Sequence, residues 1–257
     1  MKIFPFLFLI LSIHGMTEQI LYQFKGDEKV IDLMCSEGDR SLKLAKLVRK
    51  GAVVAVDVSF QAIDIAKTKH LQAPSHLSFK HKNFDDLKFY EKFDVVTALN
   101  FENLPLEPSF LITKGNELLR EKGFLDCVFL KKIPVALRVA FKTIASTEKW
   151  NPHLIGFEPN WYQLKEESIN DVLNSNRLNL IEKKIDADEC IFATDREFKA
   201  FLKRWIPFER AIPEKSHQEF LQDFLERYLV IFPKDKQGNI HLLIEKYEFL
   251  AQKLEDK

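Results

Sequence analysis

The first half of the chain alternates between short apolar runs and segments whose apolar residues recur at helical spacing. Apolar residues from Leu42 to Val48 recur every third or fourth position until Gly51, which predicts a helix that ends there. Buried strands joined by such helices predict parallel pairing through right-handed crossovers. The runs that predict strands lie at 30–33, 53–56, 77–81 and 93–99.

Further elements follow from the same spacing rules and from Gly and Pro as breakers. They are a short helix over 17–24, a helix that starts at Ser59 or Phe60, a helix over 108–121, a turn at Lys122 and Gly123, and a strand over 124–130.

The last quarter of the chain is richer in helical patterns. A strand ends at 191–193, and Thr194 and Glu197 have the spacing of a capping box, which predicts the start of a helix. A second amphipathic helix follows Pro213. The segment 238–250 predicts a turn and a final strand.

The stretch after the first strand carries a recognisable motif. Residues 30–38, VIDLMCSEG, resemble the cofactor loop of the Rossmann-like S-adenosyl-L-methionine-dependent methyltransferases, in which glycine recurs at alternate positions after the acid. Met34 and Ser36 stand in place of the first two glycines, and Gly38 keeps the third. The resemblance implies an α/β fold with a seven-stranded, mainly parallel sheet, flanking helices and a helical cap, whose last strand is antiparallel.

The resemblance also implies S-adenosyl-L-methionine as the cofactor, bound at the carboxyl ends of the strands. Asp57 would accept the ribose hydroxyls, Asn83 would meet the adenine amino group, and Phe84 would lie against the adenine plane. For Asn83, a turn residue bonded to its own backbone is the alternative. The implied cofactor-binding residues are Met34, Cys35, Ser36, Gly38, Asp57, Val58, Asn83, Phe84 and Asn100.

A segment beyond residue 131 narrows the resemblance to one branch. Residues 148–159 resemble the cap of the trans-aconitate and juvenile hormone acid methyltransferases. For a carboxylate-bearing acceptor, that branch implies positive or hydrogen-bonding partners in the cap. The candidate substrate residues are Trp150, His153, Trp161 and Arg204. Each has an ordinary alternative, since aromatic side chains commonly fill cores and a helical arginine is commonly solvated.

Composition restricts the class of partner and the number of domains. The 257 residues, 46% of them hydrophobic, suffice for one domain over 16–257, with a cofactor-binding core over 16–130, a cap-bearing region over 131–235 and a final strand over 236–257. Lys plus Arg and Asp plus Glu number 38 each, so no net field favours nucleic acid. We expect a small-molecule partner. The oligomeric state stays open.

The N-terminal segment has three possible interpretations. Lys2 and the apolar stretch 3–13 have the charge and length of a secretory signal, although 13–15 is a poor cleavage site. The stretch is too short to span a bilayer. Residues 1–15 are therefore an export or anchoring signal, the product of an upstream start with Met16 as the true first residue, or a helix packed on the domain. A cytosolic cofactor favours a cytoplasmic protein, and export is the alternative.

The sequence contains no nucleophile pair, paired carboxylates, metal-ligand cluster or phosphate-binding loop. Methyl transfer needs none of these, because the sulfonium carries its own leaving group and the protein has to bind and align the reactants. A carboxylate acceptor is ionised at neutral pH and needs no general base. We therefore predict methyl transfer to a small, carboxylate-bearing acceptor. The alternative is a degenerate, non-catalytic relative, because Met34 and Ser36 replace two loop glycines.

Overall fold

The computed structural model describes residues 20–84, 87–89, 91–99, 107–159, 161, 165–206 and 208–255, and of Arg204 only the backbone. The signal-like segment 1–15 lies outside the described residues. No helix within the described ranges is long and apolar enough to cross a membrane.

The strands of the described chain form one seven-stranded sheet in the order β3-β2-β1-β4-β5-β7-β6. The first five strands are parallel and β7 pairs with β5 in the antiparallel direction. The strands are β1 (Lys29–Leu33), β2 (Ala52–Asp57), β3 (Leu77–His81), β4 (Phe93–Ala98), β5 (Leu119–Leu130), β6 (Leu178–Phe192) and β7 (Ile240–Lys253). This order and these directions confirm the predicted α/β fold class.

Helices connect the parallel strands and follow the fifth strand. Ser59 caps α2 by accepting the Ala62 N–H, as expected of a serine just before a helix. The helices are α1 (Asp39–Leu47), α2 (Phe60–Lys69), α3 (Pro108–Leu118), α4 (Val135–Ala145), α5 (Asn151–Leu154), α6 (Glu166–Ser175), α7 (Asp195–Trp205) and α8 (His217–Ile231).

The prediction of a helix over 17–24 is wrong in its described part, because residues 20–24 are not helical. The backbone N–H groups of Leu21 and Tyr22 donate to a carboxylate oxygen of Asp126 at 2.8 and 2.9 Å. An acceptor more than 100 residues away along the chain thus takes the place of the helical carbonyls. Residues 17–19 lie outside the described ranges.

The predicted boundary between α3 and β5 is also corrected. The helix ends at Leu118 and the strand begins at once, so the predicted turn at Lys122 and Gly123 lies inside the strand. Lys122 has a φ of 61°, and the register with β4 shifts between Phe93 and Val95. A left-handed residue followed by glycine accommodates this irregularity without ending the strand.

Contacts divide the chain into two compact units. The first, here called the sheet unit, comprises residues 18–133, 160–187 and 245–257. Its sheet has an apolar cluster on each face, one that includes Ile31 and Phe129 and one that includes Val30 and Leu44.

The second unit, here called the helical unit, comprises, among the described residues, 134–159 and 188–244. Buried aromatic rings fill its core, and Phe198 packs against Tyr228 with ring centroids 4.6 Å apart. Thr194 caps α7 as predicted, because its hydroxyl accepts the Glu197 N–H, while the Glu197 carboxylate accepts the N–H of Ala193, one residue before the cap. The helix that follows Pro213 begins at His217 as α8.

Candidate cofactor site

The loop from β1 to α1 keeps a glycine-like backbone path although two of its expected glycines are absent. Met34 has a φ of 58° and Ser36 a φ of 52°. Both values lie in the small left-handed region that L-residues can enter, at a cost of about 1 kcal/mol each. Met34 and Ser36 thus have left-handed backbone angles of the kind that glycine adopts without strain.

The Met34 side chain packs into the core of the sheet unit. It is 3% exposed and belongs to the apolar cluster that includes Val56 and Phe84. Methionine suits such a position because its flexible thioether fills irregular gaps. The degenerate alternative rested on the side chains of Met34 and Ser36, and the backbone angles of the loop give it no support.

Gly38 is the position where a side chain would not fit. Its φ of 83° lies outside the left-handed values of Met34 and Ser36, and an added Cβ would lie 2.3 Å from a ring carbon of Phe79. Gly38 also serves as the N-cap residue of α1, where no side chain caps the first amides. Steric crowding thus gives a physical reason for the glycine that the 34–38 loop retains at position 38.

Asp57 closes β2 beside this loop and is 6% exposed. One carboxylate oxygen accepts the Ser36 N–H at 2.9 Å, and the other accepts the Ser59 N–H at 2.8 Å. Each oxygen has a second lone pair, so the carboxylate can still accept a hydroxyl donor. The predicted ribose-binding acid therefore stands at the expected edge of the sheet.

The other predicted cofactor residues lie around this edge in different environments. Val58 is 46% exposed, and Asn83 is exposed just after β3. Phe84 is 2% exposed and packs in the same apolar cluster as Met34. Asn100 lies outside the described residues. The adenine contacts predicted for Asn83 and Phe84 stay predictions.

A buried polar network behind the loop was missed by sequence reasoning. Asp32 is fully buried and accepts the hydroxyl of Ser41 at 2.6 Å and that of Thr97 at 2.8 Å. These contacts tie β1 to α1 and to β4. The signal in the sequence was an acid inside an apolar run, because a buried acid is stable only when it is hydrogen-bonded.

Cys35 lies between the two left-handed residues and is 4% exposed. Burial is the main cause that raises the pKa of its thiol, and the charges of Asp32 and Asp57 raise it further. A thiol held in its protonated form is a poor nucleophile. Cys35 thus contributes packing and its backbone to the loop.

Within the helical unit, Trp150 lies in the core and not on the surface. It is 2% exposed, its indole N–H donates to Asp223 at 2.8 Å, and its ring meets Phe220 edge-on. Lys149 binds the same Asp223 oxygen at 2.6 Å. A cavity of about 210 Å³ opens beside these residues, with Arg227 in its wall.

The remaining predicted substrate residues are spread over several elements. His153 is exposed on the four-residue helix α5, with its ring centroid 6.3 Å from that of Trp150. Trp161 is half-buried, and the side chain of Arg204 lies outside the described part of the chain. The substrate roles of these residues stay predictions.

Comparison with known proteins shows similarity to methyltransferases. Residues 30–123 match the family described as "Methyltransferase domain". A juvenile hormone acid O-methyltransferase of Drosophila melanogaster is 26% identical over 247 residues, which cover 90% of this chain and 79% of that protein. These matches support an S-adenosyl-L-methionine-dependent methyltransferase. The predicted family is thereby confirmed.

Solved structures share the fold of this chain. A protein from Bacillus halodurans has a TM-score of 0.59 at 17% identity, covering 90% of this chain and 95% of that one. The magnesium protoporphyrin IX methyltransferase of Synechocystis, solved with bound S-adenosylhomocysteine, has a TM-score of 0.50 at 17% identity. That match covers 88% of this chain and 74% of that chain.

The described residues fit the cofactor that methyltransferases of this class use, S-adenosyl-L-methionine. The loop at 34–38, which is left-handed at residues 34, 36 and 38, and the carboxylate of Asp57 at the adjacent strand end are the groups that would hold it. The described residues contain no group of three or more His, Cys, Asp or Glu side chains that could hold a metal ion.

Proposed function

We propose that this protein transfers a methyl group from S-adenosyl-L-methionine to a small acceptor that carries a carboxylate. The observation that carries the proposal is the backbone of the 34–38 loop, which keeps left-handed angles at Met34 and Ser36 beside Asp57. A protein that had lost its cofactor would have no need to retain two strained residues there.

The protein's own residues would bind and align the reactants. The loop backbone would lie under the methionine end of the cofactor, Asp57 would accept the ribose hydroxyls, and Asn83 and Phe84 would meet the adenine. The cofactor, when bound, supplies the methyl group and its leaving group. Binding therefore has to bring the acceptor oxygen and the methyl carbon into line and exclude water.

The acceptor class is supported by similarity and by acid–base chemistry. The Drosophila relative, which matches 90% of this chain, is by name a methyltransferase of a carboxylic acid. A carboxylate is deprotonated at neutral pH and attacks without a general base. An unionised alcohol, in contrast, would require a positioned base.

The direct test is transfer of a labelled methyl group from S-adenosyl-L-methionine to a panel of small carboxylic acids, phenols and aliphatic alcohols. We expect methyl esters from one or more acids and no product from the alcohols. Product from phenols alone would overturn the acceptor class. Absence of product from every acceptor, together with absence of cofactor binding, would overturn the methyltransferase assignment for this chain.

Asp57→Ala and Asp64→Ala form a matched pair for this assay. Both remove a carboxylate from the β2–α2 region, but Asp64 is exposed on α2. We expect the first variant to lose most of its cofactor affinity and the second to keep it. Equal affinity in the two variants would argue against a ribose contact at Asp57.

A further inference from the structure

The carboxylate of Asp57 uses both of its oxygens in contacts with the protein backbone. It accepts the Ser36 N–H at 2.9 Å through one oxygen and the Ser59 N–H at 2.8 Å through the other. These two amides belong to the loops that follow β1 and β2. A single side chain thus joins the two segments that flank the proposed cofactor site.

The loop residue bonded to Asp57 is one of the two left-handed residues that replace glycine. Ser36 has a φ of 52°, and its N–H is the group that Asp57 holds. A hydrogen bond to that N–H resists rotation about the adjacent φ angle. The Cys35 N–H, one residue earlier, is fixed by the carbonyl of Val56 at 3.0 Å.

The two hydrogen bonds differ in whether they depend on a particular side chain. The Cys35 bond continues the ladder between parallel strands and uses backbone only, so any sequence can form it. The Ser36 bond depends on a carboxylate at residue 57. A charged acceptor forms a shorter and stronger bond to an N–H than a neutral acceptor does.

We infer that Asp57 is a positioning residue for the 34–38 loop, in addition to its role as the predicted ribose acceptor. Its carboxylate holds Ser36 in the left-handed conformation that glycine would adopt without strain. The chain thereby keeps the path of a glycine loop with serine at the critical position. The role rests on the proposed function for its purpose.

The test is a double-mutant cycle in the ligand-free protein, with Asp57→Asn, Ser36→Gly and the combined variant. Asparagine offers one acceptor oxygen, so one of the two amides loses its partner. We expect Asp57→Asn to speed hydrogen exchange of the 35–37 amides by roughly tenfold in the wild-type chain. In the Ser36→Gly protein the strain is absent, so the same substitution should change the free energy of unfolding by less than half as much.

Lys122→Gly is the matched control. Lys122 is also left-handed, with a φ of 61°, but it lies on β5 and makes no contact with Asp57 among the described hydrogen bonds. Asp57→Asn should therefore lower the free energy of unfolding by the same amount in the Lys122→Gly protein as in the wild type. If Asp57→Asn also lowers it by that same amount in the Ser36→Gly protein, the positioning role is overturned.

Titration with S-adenosylhomocysteine separates this role from the proposed function. Coupling between residues 36 and 57 without any ligand binding would leave the positioning role standing and overturn the methyltransferase function. Ligand binding that depends on Asp57, without coupling in the ligand-free protein, would support the ribose contact and overturn the positioning role. If the Asp57→Asn protein fails to fold, hydrogen exchange of the Ser36 amide in the wild-type protein is the test. The positioning role requires slow exchange of this amide, and fast exchange would overturn it.

Discussion

Two sets of carboxylates, one from each unit, hold different kinds of partner. In the sheet unit, buried acids hold backbone and hydroxyl groups, as Asp57 holds the Ser36 N–H and Asp126 holds the amides of Leu21 and Tyr22. In the helical unit, Asp223 holds Lys149, and His241 lies between Glu189 and Asp235. The first use fixes the course of the chain at the proposed site, whereas the second ties neighbouring elements together.

This difference predicts opposite responses to pH. At Asp126, burial outweighs the two backbone hydrogen bonds and favours the protonated form, so this acid destabilises the folded protein as pH rises. An acid paired with a cation prefers its charged form and destabilises the folded protein as pH falls. The predictions below test this contrast, beginning with the largest expected effect.

The largest effect is expected at Asp126, where burial is the main cause that raises the pKa from 3.8 to about 7. Between these values the folded state holds a proton that the unfolded state has released. The free energy of unfolding should therefore fall as pH rises, by up to about 1.4 kcal/mol per pH unit, and level off above the folded pKa. Asp126→Asn should remove this slope in urea unfolding measured from pH 4 to 8. An unchanged slope would contradict the account of the sheet unit.

The next effect compares one left-handed glycine from each unit. An added Cβ at Gly38 would meet the Phe79 ring at 2.3 Å, whereas at Gly238 it would meet nothing within 4 Å. Gly38→Ala should lower the free energy of unfolding by about 3 kcal/mol through strain and overlap. Gly238→Ala, with strain alone, should lower it by about 1 kcal/mol. Similar losses of unfolding free energy in the two variants would show that the Phe79 ring moves aside and that its contact does not require glycine at position 38.

A smaller effect is expected from the indole of Trp150 in the helical unit. Trp150→Phe retains most of the ring contact with Phe220 but loses the N–H bond to Asp223. Because Lys149 still pairs with Asp223, the loss of unfolding free energy should be about 1 kcal/mol. Lys149→Met, which keeps the indole bond, is the control. A loss of several kcal/mol in Trp150→Phe would mean that Asp223 depends on the indole and not on the lysine.

The smallest effect is expected at His241, whose two ring nitrogens lie 3.0 Å from Glu189 and 2.9 Å from Asp235. The side-chain hydrogen bond to Asp235 is the main cause that raises the pKa of His241, and it lowers that of Asp235 to about 2. The pairing is fully present below the ordinary histidine pKa and is lost as pH rises through the raised value. His241→Gln should therefore match the wild type at high pH and be less stable near pH 5 in thermal unfolding. The opposite pH dependence would contradict the pairing.

Local pattern was sufficient for most of the fold. The strand over 77–81 and the start of α2 at Phe60 follow from neighbouring residues, and the structure has both within the predicted bounds. The helix over 17–24 was predicted wrongly because its amides find Asp126, which no local rule can supply. The boundary of α3 was misplaced because a left-handed Lys122 continues a strand where a turn was expected.

The candidate site was predictable in position but not in conformation. Strand ends placed the 34–38 loop and Asp57 at one edge. A sequence rule that equates left-handed backbone with glycine could not anticipate that Met34 and Ser36 adopt those angles. The bond from Ser36 to Asp57 and the packing of Met34 depend on tertiary contacts, so they required coordinates.

The central claim is that a loop with Met34 and Ser36 still receives the cofactor. Isothermal titration of the purified protein with S-adenosylhomocysteine tests this claim most directly, with Asp57→Ala as the control. The account predicts saturable binding at one site in the wild type and a large loss of affinity in the variant. No heat of binding to the wild-type protein at millimolar ligand would contradict it.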